Sequence, residues 1–406
     1  MDVRKKMSER FAGVEGGLFS NVTKADVGDG FSDMGKDKVT LMGWADPFYP
    51  DPSIPEHIKQ VMIEEIQNGF PSHYIMPSGS LALRERVAKK LKQKNHLDVD
   101  PKRNILITPG SDSGLFYAMA VLLDQGDEVL VPDPSYPNNF LDPKLLGATA
   151  VSVPLAHNDG YSLDMEAFQA ALTSRTKAVV LTHPNNPTTT VFRKENLEIL
   201  AEFVIKNDLM LVVDQAFEDS VFDDIEFITP ASLPGMWERT ITVFSISKGM
   251  GLSGFRVGYI AACDQIMDAM YGAAVNVLGA SNTLAQLGAI AAFDAPDFID
   301  PYIQSFDYRR KKAFEIFGSV PGVKIEMPES GFYCWVDVSG LGDSTDVMNY
   351  LVREAKVAVN DGKNYGKQGN GHLRIIHGCL GSDEEAVLTM RRMADALVKY
   401  PKRNGE

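Results

Sequence analysis

The sequence has few cysteines, no long apolar run and a shortage of positive charge. Its three cysteines, Cys263, Cys334 and Cys379, are too few and too scattered for a disulfide framework or a spaced zinc set. No apolar stretch approaches the roughly 18 residues that a membrane-spanning helix needs. The opening MDVRKKMSERF lacks the apolar core of a secretory signal. These absences predict a reduced, soluble, cytoplasmic protein.

The charge balance also excludes classes of partner. Forty Lys and Arg against 54 Asp and Glu give a net charge of −14 over 406 residues. An acidic average surface is a poor match for nucleic acid or an anionic membrane, so neither is predicted as a partner. The sequence contains no HExxH motif and no clustered ligand set, so no metal is predicted. The length suggests two to four domains, or one large domain with a smaller satellite.

Short β-branched runs alternate with helix-like segments from about residue 100 onward. The runs lie at 105–108, 128–132, 150–154, 177–184, 209–214, 240–246 and 257–262. Several are almost continuously apolar, which is typical of parallel strands covered on both faces. The helix-like segments at 115–123, 164–173 and 194–207 are long enough for crossovers. The pattern predicts an α/β fold with a doubly wound sheet.

The pattern changes after about residue 295. A long amphipathic helix is predicted over 298–317, followed by the strand YCWVDVS, a helix near 344–355 and the strand HLRIIHG. A last helix is predicted from Ser382 to about Lys399. This alternation favours a smaller α+β domain.

The stretch SISKGMGLSGFRVGY, residues 245–259, places a lysine at a strand end before a glycine-rich turn and an arginine. Such a lysine can form a Schiff base with an aldehyde cofactor, and hydroxyls with a guanidinium can hold a phosphate. An isolated lysine is usually a solvated surface charge. Here eight positions match together: Ser245, Ser247, Lys248, Gly251, Leu252, Gly254, Arg256 and Gly258. The stretch resembles the cofactor-lysine motif of fold-type I pyridoxal-phosphate enzymes, class I/II aminotransferases in particular.

The resemblance implies partners for the cofactor ring. Asp214, which closes LMLVVD, matches the buried aspartate that keeps the ring nitrogen protonated. Asn186, in HPNNPTTT at 183–190, matches the asparagine whose amide donates to the phenolic oxygen of the cofactor. It is also a candidate substrate contact. Tyr136, in PDPSYPNN, matches the aromatic residue that stacks on the ring. Each is an ordinary turn or core residue when taken alone, and the shared order along the chain favours the functional interpretation.

The resemblance also implies a phosphate site. Ser111 and Asp112 follow a glycine turn and begin an apolar helix, whose N-terminus can bind an anion. A carboxylate is unfavourable beside a phosphate dianion, so we assign the phosphate contact of Asp112 to its backbone N–H. Ser245, Ser247 and Arg256 complete the set within one chain. Tyr74 matches a tyrosine that reaches the phosphate of the neighbouring subunit, which implies a homodimer with composite sites.

Arg374, in GHLRIIHG, matches the arginine that binds the substrate α-carboxylate, a task suited to a planar bidentate fork. Trp44 and Ala45 align with the family's glycine-rich entry to the active site and are candidate substrate contacts. For Trp44, packing between domains is an equal alternative.

Three positions depart from the family pattern. Phe217 replaces a tyrosine that donates to the phenolic oxygen, a loss of roughly 1.5–3 kcal/mol in mutational terms. Thr189 replaces a glycine, and because threonine is awkward at positive φ we expect the loop backbone to differ. Ala45 replaces a common glycine. The three changes indicate a divergent branch with an uncommon substrate.

The match spans about residues 40–390 and implies the aspartate-aminotransferase fold. A large domain is expected over 50–295, and a small domain over 1–49 and 296–406. The implied reaction is ping-pong transamination between an amino acid and a 2-oxo acid, with Lys248 as the catalytic residue. Alternatives left open are elimination or amino-acid oxidation on the same scaffold, a non-catalytic effector-binding module, and a metal-dependent enzyme.

Overall fold

The computed structural model describes residues 3–12, 14, 39–47 and 54–401. Much of the N-terminal segment that was assigned to the small domain, residues 1–49, therefore lies outside the described residues. The strands are β1 Thr40–Leu41, β2 Ile105–Thr108, β3 Glu128–Asp133, β4 Thr149–Pro154, β5 Thr176–Thr182, β6 Met210–Asp214, β7 Thr240–Ser245, β8 Gly258–Ala261, β9 Lys324–Ile325, β10 Tyr333–Asp337, β11 Val357–Ala358, β12 Asn360–Asp361 and β13 His372–Ile376.

The α-helices follow the predicted alternation with these strands. They are Glu9–Ala12, Glu56–Asn68, Leu81–Lys94, Ser111–Ala120, Pro137–Leu146, Met165–Ala171, Lys194–Lys206, Ile246–Gly249, Asp264–Val277, Thr283–Asp294, Asp300–Gly318, Ser344–Tyr350 and Asp383–Val398. A π-helical turn, Leu351–Ala355, continues the helix Ser344–Tyr350. Within the described ranges, no helix is both long and apolar enough to cross a membrane.

The seven-stranded sheet has the order β2-β8-β7-β6-β5-β3-β4. Strands β4, β3, β5, β6 and β7 pair in parallel, whereas β8 is antiparallel to both of its neighbours. The structure confirms the seven predicted strands to within two residues at each end. The strand predicted over 177–184 ends at Thr182, because Pro184 has no N–H with which to extend the ladder.

Both faces of this sheet are covered, which explains its continuous apolar strands. Along β5, Val179 and Leu181 belong to one core cluster, and Ala178 and Val180 belong to another. Side chains of Lys194–Lys206 pack in the first cluster, and side chains of Ser111–Ala120 pack in the second. Because alternate residues of a strand point to opposite faces, both sets must be apolar. The doubly wound arrangement is confirmed.

The carboxyl ends of the parallel strands place the candidate residues at one edge of the sheet. Asp214 ends β6, Ser245 ends β7, and Asn186 follows β5 by four residues. Tyr136 follows the end of β3, and Arg256 precedes β8, which runs in the opposite direction and so begins at the same edge. Ligands of open α/β sheets bind at this edge. The topology therefore gathers residues that are far apart in sequence.

A four-stranded antiparallel sheet, with the order β12-β13-β10-β9, is built from the last quarter of the chain. The helices Asp300–Gly318 and Asp383–Val398 contribute Phe306, Phe317 and Met390 to a core cluster that also contains residues of β10 and β13. Strand β1 pairs in parallel with β11, so residues near position 40 lie beside residues near position 357.

The last helix begins directly after Ser382, the residue from which it was predicted to start. Ser382 Oγ accepts a hydrogen bond from Glu385 N at 3.1 Å, which satisfies one of the unpaired donors of the first turn. Asp383, Glu384 and Glu385 fill that turn and complement the positive end of the helix dipole. These two local signals explain why the predicted start was correct.

Arg310 anchors the long helix to the rest of the structure. Its side chain is fully buried, and both Nη atoms bind Asp223, at 2.7 and 2.5 Å. Nε binds Asp307 at 2.8 Å, and Nη1 also donates to Pro328 O at 2.9 Å. A buried guanidinium needs such partners, because it cannot lose its charge. The hydrogen bond from Arg310 lowers the pKa of Asp223.

We predict that Arg310→Met destabilises the protein by about 2 kcal/mol at pH 7, because the substitution removes charge-assisted hydrogen bonds from a buried guanidinium to the partly exposed carboxylates of Asp223 and Asp307. The pKa of Asp223 is lowered in the folded state, so this stabilisation is present above the ordinary aspartate pKa of about 3.9. It is lost as the pH falls through the lower folded-state value. Urea titrations at pH 7 and in acid should therefore show a difference that shrinks in acid.

Lys311→Met is the matched control, since Lys311 pairs with the same Asp307, at 2.7 Å, from the exposed side of the helix. An exposed pair contributes about 0–1 kcal/mol. Equal losses in the two variants would contradict the anchoring role of Arg310.

Candidate active site

Lys248 lies in a single helical turn directly after β7. Ser245 Oγ accepts a hydrogen bond from Ser247 N at 3.1 Å and so caps this turn. Lys248 is half-buried, and its Nζ donates to the backbone carbonyl of Ala45. The structure thus brings together two predicted site residues that are far apart in the sequence.

Asp214 is buried at the end of β6. Its Oδ1 accepts a hydrogen bond from Ala216 N at 3.1 Å. Burial, and to a lesser extent the charge of Asp112, raises the pKa of Asp214 to about 7, although the Ala216 hydrogen bond and the charge of Lys248 oppose the rise. The site therefore contains a carboxyl group whose negative charge is poorly compensated by the protein alone.

Arg374 and Asn186 meet across the two sheets. Arg374, on β13, is 1% exposed, and its Nη1 donates to Asn186 Oδ1 at 2.9 Å. Its Nε and Nη2 donate to Asn360 Oδ1 at 3.2 and 3.0 Å, and its guanidinium lies 4.8 Å from the ring centre of Tyr365. The fork is therefore held in one orientation by residues of both sheets.

Asn360 and Tyr365 are site residues that the sequence reasoning missed. Asn360 is the register partner of Arg374 in the β12–β13 pair. The sequence gives no signal for this pairing, because β12 is only two residues long and carries no apolar pattern.

The candidate phosphate site lies at the N-terminus of the helix Ser111–Ala120. Gly110 precedes this helix with a φ of 90°, and a Cβ atom there would lie 2.3 Å from Arg256 Nη2. Glycine therefore allows the guanidinium to approach the helix end. Asp112 is exposed, and its carboxylate accepts from Tyr136 Oη at 3.1 Å and lies 3.8 Å from Arg256 Nη2. The helix end thus brings together four predicted site residues, Ser111, Asp112, Tyr136 and Arg256.

Thr189 has a backbone conformation that usually favours glycine, although threonine was expected to avoid it. Its φ is 69°, in the left-handed region, and its side chain is buried. Thr189 O accepts from Ser330 Oγ at 2.7 Å, and Thr189 Oγ1 accepts from Glu329 N at 3.3 Å. These bonds offset the strain that a β-branched residue has at positive φ. The expectation that threonine avoids a positive φ at this position was therefore wrong.

Phe217 lies in an aromatic cluster beside the Asn186 loop. Its ring is buried and lies 5.0 Å, edge to face, from the ring of Tyr333 and 5.7 Å from that of Phe332. Tyr333 Oη donates to Asn185 O at 3.1 Å. A phenol from β10 thus packs on the ring at the position where the family pattern has its own tyrosine.

Tyr74 and Trp44 are more exposed than the other candidates. Tyr74 is 98% exposed, and it lies with His73, Ser281 and Thr283 around a pocket apart from Lys248. Trp44 is 40% exposed and adjoins Ala45, whose carbonyl receives Lys248. The geometry of one chain brings Trp44 to the lysine segment and leaves Tyr74 facing outward.

A strand-end lysine and a buried aspartate lie at the carboxyl end of the seven-stranded sheet, and the Arg374 fork reaches the Asn186 loop at the same end. Such a set of groups is typical of cofactor-assisted group transfer. The family profile described as "Aminotransferase class I and II" matches residues 39–392. An aspartate aminotransferase of Musicola paradisiaca is 30% identical over 86% of this chain and 88% of its own length. A probable aspartate/prephenate aminotransferase of Aquifex aeolicus is 34% identical over 86% of this chain and 89% of its own length.

Solved structures agree with these relatives. The aromatic aminotransferase from Pyrococcus horikoshii superposes with a TM-score of 0.84 at 30% identity, covering 91% of this chain and 98% of that one. The alanine aminotransferase from Pyrococcus furiosus gives a TM-score of 0.86 at 26% identity, covering 97% and 100%. The chain therefore belongs to the aminotransferase class I and II family. It is a pyridoxal-phosphate-dependent aminotransferase, and the names of its relatives support amino-group transfer rather than elimination or oxidation.

We predict that Asp214→Asn makes the cofactor-free protein more stable at pH 8. The pKa of Asp214 is raised in the folded state, so the folded protein binds the proton more tightly than the unfolded chain does. Wild-type stability should therefore fall as the pH rises from about 4 to about 7, and the neutral amide should abolish this fall. Thermal melts between pH 5 and pH 8 measure the difference, which should level off above pH 7.

Asp208→Asn is the control, because Asp208 is exposed at a φ of 51°, a conformation that asparagine also adopts. A pH-independent difference between Asp214→Asn and wild type would contradict the buried-charge explanation.

Proposed function

We propose that this chain moves the amino group of an α-amino acid to a 2-oxo acid in two half-reactions, with Lys248, Asp214, Asn186 and Arg374 as the central residues. The observation that carries the proposal is the Arg374–Asn186 hydrogen bond of 2.9 Å at the sheet edge where Lys248 and Asp214 also lie. It joins the candidate carboxylate-binding group to the candidate cofactor-binding group.

The donor set fits pyridoxal phosphate. Asp214 is a buried carboxyl whose pKa, about 7, a cationic ring nitrogen would lower. Gly110, the helix Ser111–Ala120 and Arg256 form a cationic end for a phosphate. When bound, pyridoxal phosphate supplies the aldehyde that accepts the amino group and a ring that takes up electrons.

The remaining roles belong to this chain's own side chains. Lys248 Nζ, held beside Ala45 O, would be the group that moves the proton of the amino acid Cα. Arg374 binds the α-carboxylate with a fork that Asn360 has already oriented. Asn186 Oδ1 accepts from Arg374, so its NH2 end is the one left to donate to the cofactor.

In this proposal the remaining phosphate contacts come from Ser111, Ser245, Ser247 and the backbone N–H of Asp112. Tyr136 stacks on the pyridine ring of the cofactor. The carboxylate of Asp112 contacts Tyr136 and Arg256, which supports the assignment of its phosphate contact to the backbone N–H. Trp44 and Ala45 line the substrate side. The relatives named for aspartate, prephenate and aromatic substrates support an α-amino acid as donor.

We also propose that the site lies between a large domain, 50–295, and a small domain made of 1–49 and 296–406. Arg374 belongs to the four-stranded sheet and Asn186 to the loop after β5 of the seven-stranded sheet. The pairing of β1 with β11 joins a segment near residue 40 to one near residue 357. The three cysteines are buried and form no disulfide, which supports a cytoplasmic location.

We predict that a panel of amino acids, each mixed with the cofactor-loaded enzyme and a 2-oxo acid, yields oxo acid only when an acceptor is present. Donor consumed and new amino acid formed should be equimolar by chromatography. Catalytic release of oxo acid without an acceptor, with oxygen consumed, would instead show oxidation. Lys248→Ala should lower turnover by more than about 100-fold, because it removes the proton-transferring amine. Lys92→Ala, an exposed lysine, is the control.

We predict that mixed dimers of Lys248→Ala and Tyr74→Phe chains are more active than either variant alone. In the proposed composite site, Tyr74 serves the neighbouring subunit, so one site of each hybrid has both residues intact. Each variant alone has one defect in every site. Activity that follows the average of the two parents after subunit exchange would show that Tyr74 acts within its own chain or not at all.

A further inference from the structure

His157, Asp337 and His372 bring three potential metal ligands together outside the candidate active site. One ligand atom from each residue lies within 4.8 Å of the other two. Asp337 and His372 are register partners in the antiparallel β10–β13 pair, so sheet pairing sets their separation. His157 follows β4 of the seven-stranded sheet. The cluster therefore joins the two sheets.

The ring of His372 is oriented by fixed contacts. Nδ1 lies 3.1 Å from Asn370 O, and Nε2 lies 3.1 Å from Tyr161 Oη. A carbonyl oxygen can only accept, so Nδ1 carries the proton and Nε2 presents its lone pair. Metal-ligating histidines commonly have this outer contact to a carbonyl. The Tyr161 hydroxyl is the group that an ion on Nε2 would displace.

The surroundings hold the ligands while leaving one side accessible. Trp335 stacks on His372 with ring centres 4.8 Å apart and planes within 4°. Asp337 Oδ1 accepts from Ser339 N at 2.8 Å, which fixes one carboxylate oxygen. His157 is exposed, so an ion can enter from its side.

We propose that His157, Asp337 and His372 form a binding site for a divalent transition-metal ion of the Zn²⁺ class. Two imidazoles and one carboxylate suit Zn²⁺, Co²⁺ or Ni²⁺ better than Mg²⁺ or Ca²⁺, which prefer oxygen ligands. Three protein ligands leave a further position for water. Because the ligands come from both sheets, a bound ion stabilises the folded chain.

The test uses the cofactor-loaded enzyme, made without a histidine tag and freed of metal by a chelator. Zn²⁺ is titrated by calorimetry, Co²⁺ by its visible absorption, and thermal melts are recorded with and without Zn²⁺. We expect one ion per chain and a higher melting temperature with Zn²⁺. His157→Ala should weaken binding by at least about tenfold, since loss of an outer-shell partner alone costs about 10–100-fold.

The proposal is wrong if the wild-type protein takes up no ion, or if His157→Ala binds as tightly as wild type. His96→Asn is the matched control, because His96 is exposed at a φ of 56° and lies outside the cluster. An equal loss of binding in His96→Asn would also overturn the assignment. Asp337→Asn provides a second, nearly isosteric test in case His157→Ala does not fold.

Discussion

The hydrogen bond between Arg374 and Asn186 is the contact on which the arrangement of the site depends. A buried guanidinium keeps its charge, so it must be matched by acceptors that do not move. Asn360 supplies one from the same sheet, and Asn186 supplies the other from the loop after β5. The fork therefore fixes the four-stranded sheet relative to the edge of the seven-stranded sheet. In the proposed function, that relation sets the distance between the substrate carboxylate and the cofactor.

Much of the fold could be predicted because its signals are local. The runs that form β3 and β7 are buried at every position. The order of Asp214, Ser245 and Lys248 along the chain then places them at neighbouring strand ends. Asn360 and Tyr365 could not be predicted in this way. Their positions depend on strand register and on ring packing between segments, neither of which leaves a periodic pattern.

Thr189 shows why a departure in sequence does not settle the structure. A threonine at positive φ is unfavourable by itself, and this local rule led to the expectation of a changed loop. The side chain of Ser330 and the backbone of Glu329 both form hydrogen bonds with Thr189. These partners are 140 or more residues away in the sequence, so no rule about neighbouring residues could predict them. Phe217 is a similar case, since its neighbour Tyr333 comes from β10. Both departures can be found by reading the sequence, but the contacts that accommodate them are tertiary.

Asp214 shows how stability and function oppose each other in this site. Burial and the nearby charge of Asp112 disfavour its ionised form, and Lys248 and one backbone N–H offset only part of this effect. A carboxyl group in that position lowers the stability of the folded chain at neutral pH, because the unfolded chain ionises it freely. The same imbalance favours a cationic ligand, since a positive charge beside Asp214 recovers the lost solvation. In the proposed function, affinity for a protonated ring nitrogen and the instability of the protein alone thus have one electrostatic cause.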